Sequence, residues 1–464
     1  MRFNQMTAAL ILVLGAAIAP PGRALDLWTV YRLALHNDPQ YRQAMATARA
    51  SEEARPQALA ALLPQVSLTG SINDVNNDSS SVQTFTIQGN KFQTFTGTST
   101  TNTRTRGYTA QLTETLFNWG SWLALHQSDT TGAEALATLN STIQGILLTV
   151  SQDYFNVLYA EDVLAAQRAA KKAFARQLAL AQEQYKVGLS AITAAEQARA
   201  SYDSAAAGVI ADQLALTQAQ QTLETLIGVP VVHLSPLTPT LPLANPNPDN
   251  LNDWLERALS ENPTLIAARL AARVSRDNIG IQRAAGYPAL NLVLSHGYNN
   301  VTGVVSQASP NSSLTAPAIS TGNSNLIGLD LSWPIYSGGL ISSRARQARY
   351  EYQATAATAV QTERTVASNT QTNFFSVLSE IAQVRALEQS VRSNRTALKA
   401  TEAGYKVGTQ TMVDVLTARQ NLLTAEESYA QSRYNYLVAI LTLDEDAGTL
   451  TPAVVHSLNQ YLLH

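Results

Sequence analysis

The chain repeats itself, and this duplication limits its fold more than any other feature of the 464 residues. Leu27, Ala34, Leu35 and Pro39 recur as Leu251, Ala258, Leu259 and Pro263, and Pro64 recurs as Pro288, all at an offset of 224. Leu112 and Gly120 recur as Leu331 and Gly339 at an offset of 219. Tyr185-Lys186-Val187-Gly188 recurs as Tyr405-Lys406-Val407-Gly408, and Ala198-Arg199 as Ala418-Arg419, at an offset of 220. Ordered blocks at near-constant spacing define two copies of one structural unit, 25–230 and 250–450. The joint between them, 231–249, is rich in proline, which cannot donate the amide hydrogen a helix needs. Residues 451–464 are left as a C-terminal tail.

Each copy reads as an opening helix, a strand pair and a long helical hairpin. Residues 26–62 and 250–286 have helical spacing, with Pro64 closing the first. Val66 and Leu68, and Leu290, Leu292 and Leu294, alternate with polar residues, as half-buried strands do. Tyr108, Ala110, Leu112 and Leu116 form a second alternating run that Glu114 interrupts; Leu329, Leu331, Trp333 and Ile335 form its counterpart. The strand pairs are bounded at 64–117 and 288–337. The polar segments 76–104 and 301–325, the latter uncharged, read as exposed loops because such composition cannot build a core. The hairpins occupy 120–228 and 339–447. The outgoing arm 120–186 has no proline and reaches roughly 100 Å as a helix. Ile143, Leu147, Val150, Tyr154 and Val157 follow the 4-3 spacing of a coiled coil. Gly188 and Gly408 stop the outgoing helices and allow reversal. Opening and return helices are each about half an outgoing arm, so two of them laid end to end match it in length.

The N-terminus carries Arg2, an apolar run from Ala8 to Ala19 and a Gly22-Arg23-Ala24 triplet, the pattern of a signal peptide spanning 1–24. The run is too short to cross a bilayer as a helix, and no later stretch is apolar enough. Any membrane crossing therefore uses the four strands. Four strands cannot close a barrel, and an open edge in lipid is not tolerated, so closure requires other copies. Two, three or four copies give 8, 12 or 16 strands, and closure alone does not choose.

Composition removes other classes. Only 14% of residues are charged, which argues against a disordered chain and against a solvated coiled-coil rod. The formal charge of −3 gives no basic excess for nucleic acid. With no cysteine, thiolate metal sites, a Cys nucleophile and a lipidated Cys are excluded. The six histidines are scattered, and there is no Gly-rich phosphate loop or G-x-S-x-G elbow. No constellation for catalysis or for a cofactor is present.

The stretches ending in Pro39 and Pro263, the segment after the first helix (62–70), and above all 185–203 and 405–437 resemble the TolC-type outer membrane efflux and secretion channels over essentially the whole mature chain. The resemblance implies a mainly α fold: duplicated coiled-coil helices form an α-helical barrel, and four strands per chain contribute to a 12-strand β-barrel shared by a homotrimer in outer membrane lipid. It implies a periplasmic adaptor and an inner-membrane transporter, ABC or proton-driven, as partners. It also implies export of drugs, small toxic molecules or polypeptides, with the missing lipidation Cys leaning toward the type I secretion branch. At the periplasmic tip, Asp414 matches a family aspartate ring, while a second family aspartate is replaced by Thr417. Tyr405 matches a gate tyrosine; Gln410 and Ala194 stand where its arginine and aspartate partners would be, so the family salt bridge cannot form. Val187-Gly188-Leu189 and Val407-Gly408-Thr409 match the adaptor-docking tips.

Each assignment has a plainer counterpart. Thr411 and Asp414 spell a capping box, the glycines spell helix C-caps, Tyr405 fits a coil core, and Trp119 and Trp333 fit either a membrane belt or a corner contact. A trimeric coiled-coil adhesin with a β-barrel anchor is the alternative function; strand pairs placed between helices in both halves speak against it.

Overall fold

A computed structural model describes residues 24–87, 91–309 and 312–463. The expected signal peptide lies outside the described residues but for Ala24. The first copy contains α1 (Leu27–Asn37), α2 (Pro39–Glu52), α3 (Ala54–Ala60), β1 (Gln65–Ile87), β2 (Lys91–Asn118), α4 (Trp119–Lys186) and α5 (Ile192–Ile227). The second contains α6 (Leu251–Glu261), α7 (Pro263–Ala284), β3 (Ala289–Ser309), β4 (Ser312–Ser332), α8 (Leu340–Lys406) and α9 (Met412–Asp446), and α10 (Pro452–Asn459) follows.

Two features correct the sequence reading. The opening helices are broken: Asp38 (ψ 122°) and Asn262 (ψ 118°) are extended, as the residue before a proline prefers. Each then caps the next helix, Asp38 Oδ1 accepting from the Gln40 amide at 2.7 Å and Asn262 Oδ1 from the Leu265 amide at 3.0 Å. A second, milder interruption falls at Glu53, whose backbone stays helical (φ −68°, ψ −11°), and Pro56 follows in the first turn of α3, where its missing N–H has no helical partner to lose. The described residues of 76–104 and 301–325 are strand rather than loop: β1 and β2 have 23 and 28 residues, β3 and β4 have 21 each. A polar strand needs no core of its own when ladder hydrogen bonds satisfy its backbone, and Thr suits the pleat.

The chain forms two compact units, and neither is a sequence repeat. One collects residues up to Ala46, Ala137–Ile266 and those from Gln361 onward; the other collects Thr47–Leu136 and Ala267–Val360. Long helices pass from one unit into the other, so each unit receives equivalent pieces of both copies.

The first unit has a helical core. Leu147, Val150, Tyr154 and Val157 are buried along α4, facing Leu223 and Ile227 of α5, Leu437 and Leu441 of α9, and Leu27 and Val30 of α1. The duplicated aromatic pairs keep one geometry: Tyr154–Phe155 at 5.8 Å and 83°, Phe374–Phe375 at 5.7 Å and 80°. The 231–249 linker is strapped to this core. Its extended backbone has carbonyls to offer, and buried donors take them. Tyr154 Oη donates to Ser235 O at 2.8 Å, Arg433 Nη2 to Thr238 O at 2.5 Å and Tyr436 Oη to Ala244 O at 2.9 Å. Burial pushes the Tyr154 phenol well above its ordinary pKa, so it stays a donor. The C-terminal segment also packs here, with Leu462 bridging Leu237 and Val455 and Leu458 of α10 buried.

The second unit holds one antiparallel sheet in the order β1-β2-β3-β4. Its central pairing, β2 with β3, joins the two copies. Gly303 permits the strands' close approach there: a Cβ on it would lie 2.1 Å from Asn102 O.

Tyr154→Phe removes the phenol hydroxyl from a fully buried site and leaves Ser235 O without its donor. The expected cost is about 1 to 2 kcal/mol, read as a lowered thermal midpoint with unchanged helix content by circular dichroism.

Candidate functional site: hairpin tips and a two-faced sheet

At the tips, both outgoing helices end in the same six-residue reversal. The Leu189 amide donates to Gln184 O at 2.8 Å and the Gly188 amide to Tyr185 O at 3.0 Å; Thr409 donates to Gly404 O at 2.9 Å and Gly408 to Tyr405 O at 3.2 Å. Gly188 (φ +75°) and Gly408 (φ +83°) take the left-handed conformation this Schellman closure requires. Val187, Leu189 and Val407 are left 67%, 80% and 76% exposed.

The return helices start differently. In α9, the Thr411 amide and hydroxyl donate to Asp414 Oδ2 at 2.8 and 2.6 Å, and the Asp414 amide donates to Thr411 Oγ1 at 3.2 Å, a complete capping box. These bonds, side chain first, hold the Asp414 carboxyl below its ordinary pKa. The equivalent positions in the first copy are Ala191 and Ala194, and α5 begins with no side-chain cap.

Tyr405 and Ala194 come together in one cluster, packed against buried Ala195, Ala198, Met412 and Leu416. Tyr405 Oη donates to Gln184 Oε1 at 2.5 Å, so the first hairpin supplies the tyrosine's partner. Gln410 instead folds over its own turn, where a Cβ on Gly404 would lie 2.7 Å from Gln410 Cγ. Sequence reasoning missed Gln184 and Gly404, although they are equivalent positions in the two copies. It also missed the ties between α8 and α9, Arg395 to Glu426 at 2.8 Å and Arg419 to Glu402.

The sheet has two chemically distinct faces, read from its register. One carries Val66, Leu112, Leu294 and Ile327 in a single row across all four strands, with Leu292 and Leu329 beside Glu114, and Leu68 beside Ala110. The other carries Gln65, Ser67, Thr69, Gln111, Thr109, Ser295, Ser324 and Asp330, with Val293 and Leu326 as its apolar members. Val66, Leu68, Ile327 and Leu329 are exposed. The alternation of an apolar and a largely polar face is that of a strand with lipid on one side and water on the other. Sequence alternation placed Leu116 in the apolar set; a bulge between Thr115 and Phe117 instead sets Phe117 opposite Leu290. Trp119 and Trp333 are exposed in the single chain.

The apolar face ends on a slant. Moving away from the helices, the apolar residues of β1, with Gly70 among them, run to Ile72, whereas those of β4 stop at Ile327, three rows nearer the helices, before Ile319 farther out. Six residues are about 20 Å along the strands and three strand spacings about 14 Å across, an inclination on the order of 50°. That lies near the tilt of strands in outer-membrane barrels, about 35–45°. No helix among the described residues is long and apolar enough to cross a membrane. Nor do the described residues contain a cluster of side chains able to hold a metal ion.

These features are those of a subunit of an outer-membrane channel, and comparison with known proteins agrees. The chain matches the family model described as outer membrane efflux protein over residues 30–229 and 254–449, one stretch per copy. It is 30% identical to the outer membrane protein TolC of Vibrio cholerae, over 94% of this chain and 93% of that one. It is 28% identical to the alkaline protease secretion protein AprF of Pseudomonas aeruginosa, over 93% and 86%. The crystal structure of the outer membrane protein VceC from Vibrio cholerae superposes with a TM-score of 0.70 at 20% identity, covering 91% of this chain and 96% of that one. The chain belongs to the outer membrane efflux protein family. It is a transport protein of the outer membrane and not an enzyme, and the adhesin alternative is not supported.

Thr411→Ala should cost the start of α9 about 1 kcal/mol, visible as faster amide exchange at 412–415. Because the Asp414 pKa is lowered in the fold, its capping contribution is complete above the ordinary carboxylate range. It is lost as pH falls through the lowered value. Exchange at 412–415 should therefore depart from intrinsic acid behaviour only in that acid window, and Asp414→Ala should abolish the step.

Proposed function

We propose that three copies of this chain close one 12-strand barrel in the outer membrane. The resulting channel exports substrates handed over through a periplasmic adaptor by an inner-membrane transporter. One observation carries the reading: the lipid-type face belongs to a sheet whose outer strands, β1 and β4, each leave an edge of backbone N–H and C=O groups unpaired within the chain. Such edges cannot stand in hydrocarbon. Four strands alternating in direction leave β4 antiparallel to the β1 of a following copy, so the ladder continues in the same sense around a ring. The helical unit has its own uncovered apolar positions, Ile210 and Leu214 one turn apart on α5, and Phe375 on α8, at 73%, 59% and 52% exposure. Neighbouring copies would cover them.

In this reading the exposed tips Val187-Gly188-Leu189 and Val407-Gly408-Thr409 meet the adaptor. Tyr405 with Gln184, Ala194 and the turn closed by Gln410 hold the hairpins together as the gate. Asp414 supplies one carboxylate per copy to a ring at the narrow end. Capping and ring roles reinforce one another, since the capping bonds favour the ionised form that a cation-selective ring needs. A relative from Pseudomonas aeruginosa is by name a protease secretion protein, which brings polypeptides within the cargo classes beside drugs and small toxic molecules.

Native mass measurement in detergent should give three copies, and the trimer should form discrete conducting steps in planar bilayers. A stable monomer, or a trimer that never conducts, overturns the reading. Asp414→Asn should lower the cation-to-anion permeability ratio severalfold, while unchanged selectivity removes the ring role. Gly408→Val forces a β-branched residue to positive φ, at roughly 1 to 2 kcal/mol, and should reduce crosslinking of the tip to its adaptor.

A further inference from the structure

The lipid-type face carries at its outer boundary a cation with no ion pair or hydrogen bond among the described residues. Arg106 lies in the first row beyond Tyr108, opposite Ile72 and Asn300. Tyr108 and Tyr298 stack beneath it, ring centroids 5.8 Å apart and planes 25° from parallel. The one nearby acid on this face is already taken: Asp74 receives Arg104 through both oxygens, at 2.5 and 2.8 Å. Asn300 directs its amide to Thr321 at 3.2 Å. Arg106 has no ion pair or hydrogen bond among the described residues, so the group Asp74, Arg104 and Arg106 is left with one net positive charge at an exposed arginine.

Below Arg106 a shallow groove of about 430 Å³ runs between Ile72 and the two tyrosines. It exists because Gly70, on the same face, has no side chain. A Cβ there would meet nothing nearer than Gly107 O at 3.9 Å, so the space is open rather than filled by neighbours.

We propose that this place binds an anionic glycolipid of the outer leaflet, its phosphate on the Arg106 guanidinium and the start of an acyl chain in the groove over Gly70. The inference rests on the channel reading above, which sets this face against lipid. The planar fork of arginine suits a phosphate better than a point charge would. The tyrosine pair marks the depth at which headgroup and hydrocarbon meet. An apolar slot directly inside that boundary, continuous with the cation, fits a molecule with a phosphate at one end and a chain at the other. A free phosphate would use only half of the site.

The test is native mass spectrometry of the detergent-solubilised protein titrated with bisphosphorylated lipid A, with dephosphorylated lipid A and with inorganic phosphate as competitor. Conductance is measured on the same preparations. The expected result is saturable binding of up to one lipid A per chain. Binding should be weakened at least tenfold by Arg106→Gln and by Gly70→Leu, strongly reduced for the dephosphorylated lipid, and little affected by millimolar phosphate. Lipid A binding to Arg106→Gln at the wild-type level, equal binding of the dephosphorylated lipid, or full displacement by inorganic phosphate overturns the site. In each of these cases intact conductance leaves the channel reading standing. Wild-type protein that binds lipid A but never conducts would support the site and overturn the channel reading.

Discussion

Backbone groups at a sheet edge have to be hydrogen-bonded somewhere, and in hydrocarbon no water can do it. That requirement governs the rest of this molecule. It makes the four-stranded sheet incomplete as a single chain, because one face is apolar over several rows while each outer strand keeps one edge unpaired within the chain. It explains why the strands alternate Leu, Val and Ile with Ser, Thr and Gln instead of presenting one uniform surface. It also explains why the polar reaches of β1 to β4 remain regular strand: continuing the ladder is the cheapest way to satisfy their backbone.

Duplication is used lengthwise. A helix of 68 residues begins at the sheet and ends at a tip, and its counterpart of 67 residues does the same. Each compact unit is consequently assembled from matching parts of both copies, and the β2–β3 pairing welds them. The linker between the copies is not a slack tether. Phenol and guanidinium donors from α4 and α9 hold its carbonyls, which fixes a proline-rich segment that could not have joined a helix.

Signals carried by one or two residues were legible in the sequence. Glycines requiring positive φ marked the helix ends at Lys186 and Lys406, and Thr411 with Asp414 marked the start of α9. The 4-3 spacing around Tyr154 marked the coil core. What escaped were features set by register and by distant partners. The full length of the strands was hidden because 76–104 and 301–325 were judged by their capacity to bury a core, which is the wrong test for a ladder facing water. The switch from Leu116 to Phe117 depends on a bulge that alternation cannot reveal. The helix break at Asp38 was signalled by Pro39, but its function, capping α2 with the Asp38 carboxylate, needed coordinates. Gln184 is separated from Tyr405 by 221 residues, and no local pattern links the two.

The unequal starts of α5 and α9 have a consequence for symmetry. A ring built from three chains with two alike hairpins each is nearly sixfold, and a sixfold ring of carboxylates would crowd like charges around a narrow axis. In the proposed trimer, Ala194 at one position and Asp414 at the other would make the carboxylate ring threefold while the backbone stays nearly sixfold. Hairpins with and without this carboxylate would alternate, so that an intervening hairpin separates the nearest two. The difference between the copies would then set the angular period of the electric field at the tip without altering the helices that build it.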